Sequence, residues 1–144
     1  MRKILLILLV TISSFAYSQT PITWMTLKYV EFEMVWSDDL EAHRMFPTFD
    51  KRVTDLDGEM VEISGYVIPY SLDEGTFVLS AKPFSDCFFC GGAGPESVVS
   101  LKFNDGDNTF TVDDYIKVKG KFRLNSNDVY EMFYILEDAE IVRE

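Results

Sequence analysis

The 144-residue sequence predicts an all-β protein with minor helix, organised as a closed antiparallel barrel of five strands. Three observations lead there. Apolar residues recur at every second position in one segment after another, the period of a strand with one buried face. Turn residues such as Asp57-Gly58 and Asn104-Asp105-Gly106 punctuate those segments. Two segments also carry a glycine at the same place in one pattern, Val61-x-Ile63-x-Gly65-x-Val67 and Ile116-x-Val118-x-Gly120-x-Phe122.

The first eighteen residues stand apart from this fold. Arg2 and Lys3 form a basic start, Ile4 to Val10 with Ile12 an apolar stretch, and Ala16-Tyr17-Ser18 a site of the kind signal peptidase reads. Residues 1–18 are therefore expected to be a secretory leader, too short to span a bilayer as a stable helix. No cysteine follows the cleavage site to take a lipid anchor, and no later apolar run approaches membrane length. The expected mature chain begins at Gln19 with about 126 residues, one domain with a real core. It is exported, periplasmic or secreted, without membrane insertion.

Residues 19–55 come next. Val30, Phe32, Met34 and Trp36 alternate with Glu31, Glu33 and Val35, which reads as an extra N-terminal strand. Ser37-Asp38-Asp39 then reads as the cap of a short helix running through Glu41, Ala42 and Arg44 and stopped by Pro47. His43 falls in that helix and is expected at the surface. Residues 48–59 are read as a connector that turns at Asp57-Gly58.

Residues 56–144 hold the barrel. The first strand is "EMVEISGYVIPY", with Val61, Ile63 and Val67 on its inner face. "TFVLS" is the second, entered from the turn Asp73-Glu74-Gly75, and "ESVVSLKF" the third. "YIKVKGKFRLN" is the fourth, with Ile116, Val118, Phe122 and Leu124 inward, and "VYEMFYILEDAEIVRE" the fifth. A long strand in a small barrel must bend to serve two sheets at once, and glycine permits the bend. Five strands with bent glycines in the first and fourth resemble an oligonucleotide/oligosaccharide-binding (OB) barrel.

Charge narrows the function classes. The formal net charge is -11, and loss of Arg2 and Lys3 with the leader takes it to about -13. Such a chain repels phosphate backbones, so nucleic acid is not an expected partner. Yet 47% of residues are hydrophobic and 15% aromatic, too apolar for a disordered acidic tail. Lys117, Lys119, Lys121 and Arg123 line the outer side of the fourth strand, where pairing with carboxylates on neighbouring strands is the expected role.

The cysteines carry the functional question. Cys87-Phe88-Phe89-Cys90-Gly91-Gly92 holds the only two in the chain. In an oxidising compartment they most simply form a disulfide that fixes a turn. Its loop is so short that chain entropy supplies only about 2 kcal/mol. A second reading is a metal site, zinc or copper, with Cys87 and Cys90 as ligands. His43, Asp86 or Glu96, a second chain, or methionines Met25, Met34, Met45, Met60 and Met132 are the available supplements. A third is a thiol-disulfide oxidoreductase. Redox C-x-x-C pairs usually open a helix that lowers the first thiol's pKa, whereas "GGAGPESVV" leads into a strand. The same stretch lacks the Lys-Ser/Thr and helix of a phosphate loop. Phe84, Phe88 and Phe89 surround the cysteines, as a partner-docking lip or as plugs for one end of the barrel.

Several of these stretches together resemble an uncharacterised family of small exported bacterial proteins with an OB-fold-like domain of unknown function. They are Leu56-Asp57-Gly58, Val61-x-Ile63-x-Gly65-Tyr66-Val67-Ile68-Pro69, Phe77-Val78-Leu79, Cys87-Phe88-Phe89-Cys90-Gly91-Gly92-x-Gly94-Pro95-Glu96-Ser97-Val98 and Val118-x-Gly120-x-Phe122-x-Leu124-Asn125. The likeness spans roughly residues 45 to 142, with the cysteine-glycine stretch most specific. It implies an OB-like barrel outside the cytoplasm and no particular chemistry.

The reading that results is a non-enzymatic exported binding or assembly module. Phe84, Cys87, Phe88, Phe89, Cys90, Gly91 and Gly92 would meet a protein or small-molecule partner. No catalytic residue and no cofactor is assigned; zinc or copper at Cys87 and Cys90 is the alternative, and thiol exchange the second alternative.

Overall fold

The computed structural model describes residues 19–71, 76–104 and 108–143. The expected leader and the turns at 73–75 and 105–107 lie outside them. Five strands close a ring: β4 (Met60–Ser71), β5 (Thr76–Ser80), β6 (Val98–Phe103), β8 (Tyr134–Ile141) and β7 (Tyr115–Leu124). Each pairs with the next in that order, and β7 returns to β4. Before them come β1 (Thr20–Pro21), a one-turn helix α1 (Trp24–Leu27), the hairpin strands β2 (Val30–Ser37) and β3 (Ala42–Phe49), and a second one-turn helix α2 (Lys51–Thr54).

The barrel is mixed, not wholly antiparallel. β6 and β8 run parallel, Ser100 beside Ile135 and Leu101 beside Leu136, and β1 lies parallel to β4. The reason is topological. β7 already occupies the free side of β4, so β8 closes the ring only by entering between β6 and β7.

β4 serves two neighbours, as a small barrel requires. Met60 to Tyr66 pair with β7 and Tyr66 to Ser71 with β5, so the exchange falls at Gly65 and Tyr66. Gly65 occupies an inward position, and a Cβ there would sit 2.6 Å from the Ser80 carbonyl oxygen, 2.9 Å from the Trp24 ring and 3.0 Å from Leu79. Close approach, not positive φ, is what demands glycine here. Trp24 is fixed in that space by its indole N–H, which donates to the Ser64 carbonyl at 2.8 Å.

The interior is filled by alternate residues of the five strands. Val61, Ile63 and Val67 of β4 meet Leu79, Val99, Val118, Phe122, Tyr134 and Leu136. Ile116 and Leu124 pack against this core half-buried. Leu27 of α1 and Val53 of α2, both fully buried, belong to the same cluster. The Tyr134 hydroxyl donates to the Leu27 carbonyl at 2.8 Å, and burial pushes its pKa far up. In β8 the register against both neighbours slips around Asp138, whose φ is 51°. The extra residue turns Ala139 back to the interior.

The expected short helix after Ser37 is absent. Ala42–Phe49 is a strand, matched to β2 from Val30 beside Phe49 to Ser37 beside Ala42. Ser37-Asp38-Asp39 serves a hairpin turn instead of a cap. The Trp36 indole N–H donates to Asp38 at 2.9 Å, and Glu41, at φ 50°, reverses the chain. Pro47 fits because β3 has a partner on one side only. Within the connector, Asp50 caps α2 by accepting from the Arg52 amide at 3.0 Å.

Three of the four cations on the basic stripe of β7 have carboxylate partners. Lys117 faces Glu62 of β4 at 3.6 Å and Lys119 faces Glu140 of β8 at 2.9 Å. Arg123 bridges Glu137 at 2.6 Å and Glu131 at 2.8 Å, and Glu131 also holds Lys102 of β6.

Candidate functional site

The segment between β5 and β6 is a chain of three tight 3-10 turns, Phe84–Asp86, Phe88–Cys90 and Pro95–Ser97. Local hydrogen bonds build it. The Cys87 carbonyl accepts the amides of Cys90 and Gly92, both at 3.1 Å, and the Phe88 carbonyl accepts that of Gly91 at 3.0 Å. Gly91 ends the second turn at φ 76°, a left-handed position that favours glycine. A Cβ on Gly92 would meet the Asp86 carbonyl oxygen at 2.5 Å, so these glycines are used for folding the loop on itself. Ser97 closes the third turn through its hydroxyl, 2.6 Å from the Gly94 carbonyl. One long-range tie anchors the loop: the Phe84 amide donates to Asp113 at 2.7 Å.

The aromatic part of the loop packs on the outside of the barrel, not into its end. Phe84, Phe88 and Phe89 are absent from the interior cluster. Phe89 instead lies tilted against Tyr70 at 5.4 Å and meets Phe88 edge-on at 5.5 Å. Tyr70 falls at a break in the β4–β5 register, and its ring meets the loop through Phe89. Ile68 and Val78 on the outward face of β4 and β5 are buried although they take no part in the interior, as is Cys87. The plugging role expected for the phenylalanines is thus corrected. A loop that begins at β5 and ends at β6 has the outer face of those two strands beside it, while the interior is already filled.

The two cysteines are free thiols of opposite character. Cys87 is buried and Cys90 exposed. Loss of hydration pushes the Cys90 thiol above its ordinary pKa, and its hydrogen bond and proximity to Cys87, with Asp86 nearby, push the same way. Such a thiol is poorly ionised near neutrality and makes a weak nucleophile. Among the described residues, no three His, Cys, Asp or Glu side chains come together as metal ligands. His43, considered as a supplement for the cysteines, belongs to β3, where its ring lies 5.3 Å from that of Trp36.

The exposed part of the loop is aromatic. Phe84 and Phe89, with Tyr70 beside them, keep large fractions of their rings in solvent. Tyr70 is not a site residue on the sequence reading, and the break in the β4–β5 register at its position hides its direction from the alternation. Asp113, the anchor, gave no signal beyond turn chemistry; it takes φ 68°. Other clefts lie away from the loop. One of about 450 Å³ is lined by Tyr29, Glu31, Asp50 and Arg52 at the hairpin base. No helix among the described residues is long and apolar enough to cross a membrane.

No family model matches the chain, and no curated protein matches it. Its fold is similar to that of a solved structure, a DUF3299 family protein from Pseudomonas aeruginosa PAO1. The two share 16% identity with a TM-score of 0.53, over 88% of this chain and 98% of that chain. At such identity the likeness concerns the fold alone. The neighbour is itself assigned to a family named only as a domain of unknown function.

Proposed function

We propose that this chain is an exported, non-enzymatic binding or assembly module on an OB-like barrel, meeting its partner through the cysteine-aromatic loop. The observation that carries the reading is the division of labour within that loop. Its backbone bonds, Cys87 and the outward apolar residues of β4 and β5 make a buried base, while Phe84, Phe89 and Tyr70 present an aromatic lip to solvent. Aromatic side chains on an ordered base bury much area at little entropic cost, as recognition surfaces do. A poorly ionised Cys90 and the lack of a helix after it speak against thiol exchange. A zinc or copper site at Cys87 and Cys90 would need ligands beyond the pair. The OB-like assignment rests on the ring order β4-β5-β6-β8-β7 with its long shared first strand. Export rests on the leader pattern of residues 1–18, and the partner is a protein or small molecule, not nucleic acid.

One preparation tests this. The protein is purified from the exported fraction without reductant, its free thiols are counted, and bound zinc and copper are measured. A stable thiol count and no metal at the cysteines support the module. Stoichiometric metal that vanishes in Cys90→Ser replaces it with the metal reading. Rapid reduction and reoxidation by protein dithiols replaces it with the oxidoreductase.

A further inference from the structure

The β2–β3 hairpin carries a second, unrelated group of chemically competent side chains. Residues paired across an antiparallel ladder point to the same face, as do residues two apart on one strand. Val30, Phe32, Met34 and Trp36 therefore share a face with Phe49, Pro47, Met45 and His43, their partners in register. The base of this face is occupied: the Phe32 ring lies 5.2 Å from that of Phe133 and the Phe49 ring 5.7 Å from that of Tyr134, both tilted. The outer half is not. Met34 is 61% exposed, Trp36 57% and Met45 38%, and His43 is exposed as well.

These four form a two-by-two block, Met34 opposite Met45 and Trp36 opposite His43. Cross-strand partners have Cβ atoms about 5 Å apart, and diagonal neighbours remain within reach of long side chains. Two thioethers and one imidazole can thus converge on a single point above the sheet. The indole stands beside it, 5.3 Å from the imidazole at 77° between the planes, and its N–H is held by Asp38. Met45 also lines the mouth of a cleft of about 200 Å³ with Val129 and Phe133, which limits its freedom on the inner side.

We propose that Met34, His43 and Met45 bind a soft monovalent cation of the Cu(I)/Ag(I) class, with Trp36 covering the ion. Thioether and imidazole suit such an ion and serve hard cations poorly. Two or three ligands satisfy it, and an aromatic face beside it adds cation–π attraction. Exposed methionines are the least expected feature of a soluble hairpin tip, and placing two opposite each other beside the chain's only histidine gives them one shared use. The acidic chain adds a field that favours cations. The site is independent of the cysteine loop and of the binding role proposed for it.

The test is an Ag(I) titration in chloride-free buffer, using the Cys90→Ser protein so that the exposed thiol does not compete. The ε-methyl resonances of Met34 and Met45 and the ring resonances of His43 are followed. All three are expected to shift with the first equivalent, with no change in the amides of β7. Met34→Leu/Met45→Leu, which preserves volume on an exposed face, is expected to lower affinity at least a hundredfold while the β2–β3 amide pattern persists. Trp36→Phe lowers it about two- to fivefold, as a surface cation–π contact should. The assignment is overturned if excess Ag(I) leaves these resonances in place, or if the double leucine variant binds as tightly as its parent. Metal binding lost in Cys90→Ser alone likewise overturns it and points to the cysteine pair, so failure here is distinct from failure of the binding module.

Discussion

Replacing Gly65 by alanine is the sharpest probe of how the barrel closes. The new methyl would lie 2.6 Å from the Ser80 carbonyl oxygen, well inside van der Waals contact. Ser80 cannot retreat easily, because β5 is paired with β4 on one side and β6 on the other. The Trp24 ring and Leu79 hem in the same point at 2.9 and 3.0 Å. Overpacking of this kind costs about 1–3 kcal/mol, and a clash with paired backbone belongs at the upper end, about 2–3 kcal/mol. Gly58→Ala is the control. Gly58 sits at φ 85° with nothing within 4 Å of its added methyl, so it should cost only the left-handed penalty, about 1 kcal/mol. With a urea slope of about 2 kcal/mol/M, the midpoint should fall by about 1–1.5 M for Gly65→Ala and about 0.5 M for Gly58→Ala. Trp24→Ala should not restore Gly65→Ala, since the carbonyl remains. Equal shifts for the two glycine variants would refute the close-approach argument.

Further tests address other parts of the molecule. Tyr134→Phe removes the bond to the Leu27 carbonyl and should cost about 1 kcal/mol at pH 7 in a denaturant melt. Since the folded protein holds this phenol neutral well above its ordinary pKa of 10.0, the unfolded chain alone loses the proton at high pH. Wild-type stability should therefore fall by up to about 1.4 kcal/mol per unit above pH 10, a slope that Tyr134→Phe lacks. Glu131 behaves oppositely. Lys102 and Arg123 hold its carboxyl below the ordinary 4.5, so its contribution is present above that value and disappears on acidification. Glu131→Gln should lose about 1 kcal/mol at pH 7 and show a flatter acid limb between about pH 5 and 3. For the cysteines, maleimide at pH 7.5 should label Cys90 more slowly than a free thiol, with the rate climbing past pH 9, and should reach Cys87 only on unfolding. Fast labelling of native Cys90 would contradict the shift.

The barrel strands were legible because each is a local pattern. Val61, Ile63 and Val67 announce an inward face by spacing alone, and the same holds for Val118 and Phe122. The cations of β7 were legible for the complementary reason, alternating with that apolar set. What the residues do not encode locally went unread. The parallel contact of β6 with β8 depends on which edge is already taken, a property of the whole ring. Ala42 to Phe49 lacks clean alternation and contains Pro47, and Ser37-Asp38-Asp39 suits a helix cap as well as a turn, so hairpin and helix were degenerate until the partner strand was placed. The place of the cysteine loop between the second and third barrel strands is legible, because the strands on either side of it are local patterns. Its seat on the outer face was invisible, because the contact of Phe89 with Tyr70 joins positions with no periodic relation.

A ring that closes on itself offers no lateral seam to another chain, and β1 beside it is only two residues long, so the longest open edges among the described residues are those of the β2–β3 hairpin. Strand addition, and with it self-association, is therefore most favoured at this ribbon. Pro47 removes a donor from one border, while Glu31 and Glu33 put like charge along the other. A chain that exchanged these three for valine would keep its cylinder and lose its protection, joining copies of itself border to border.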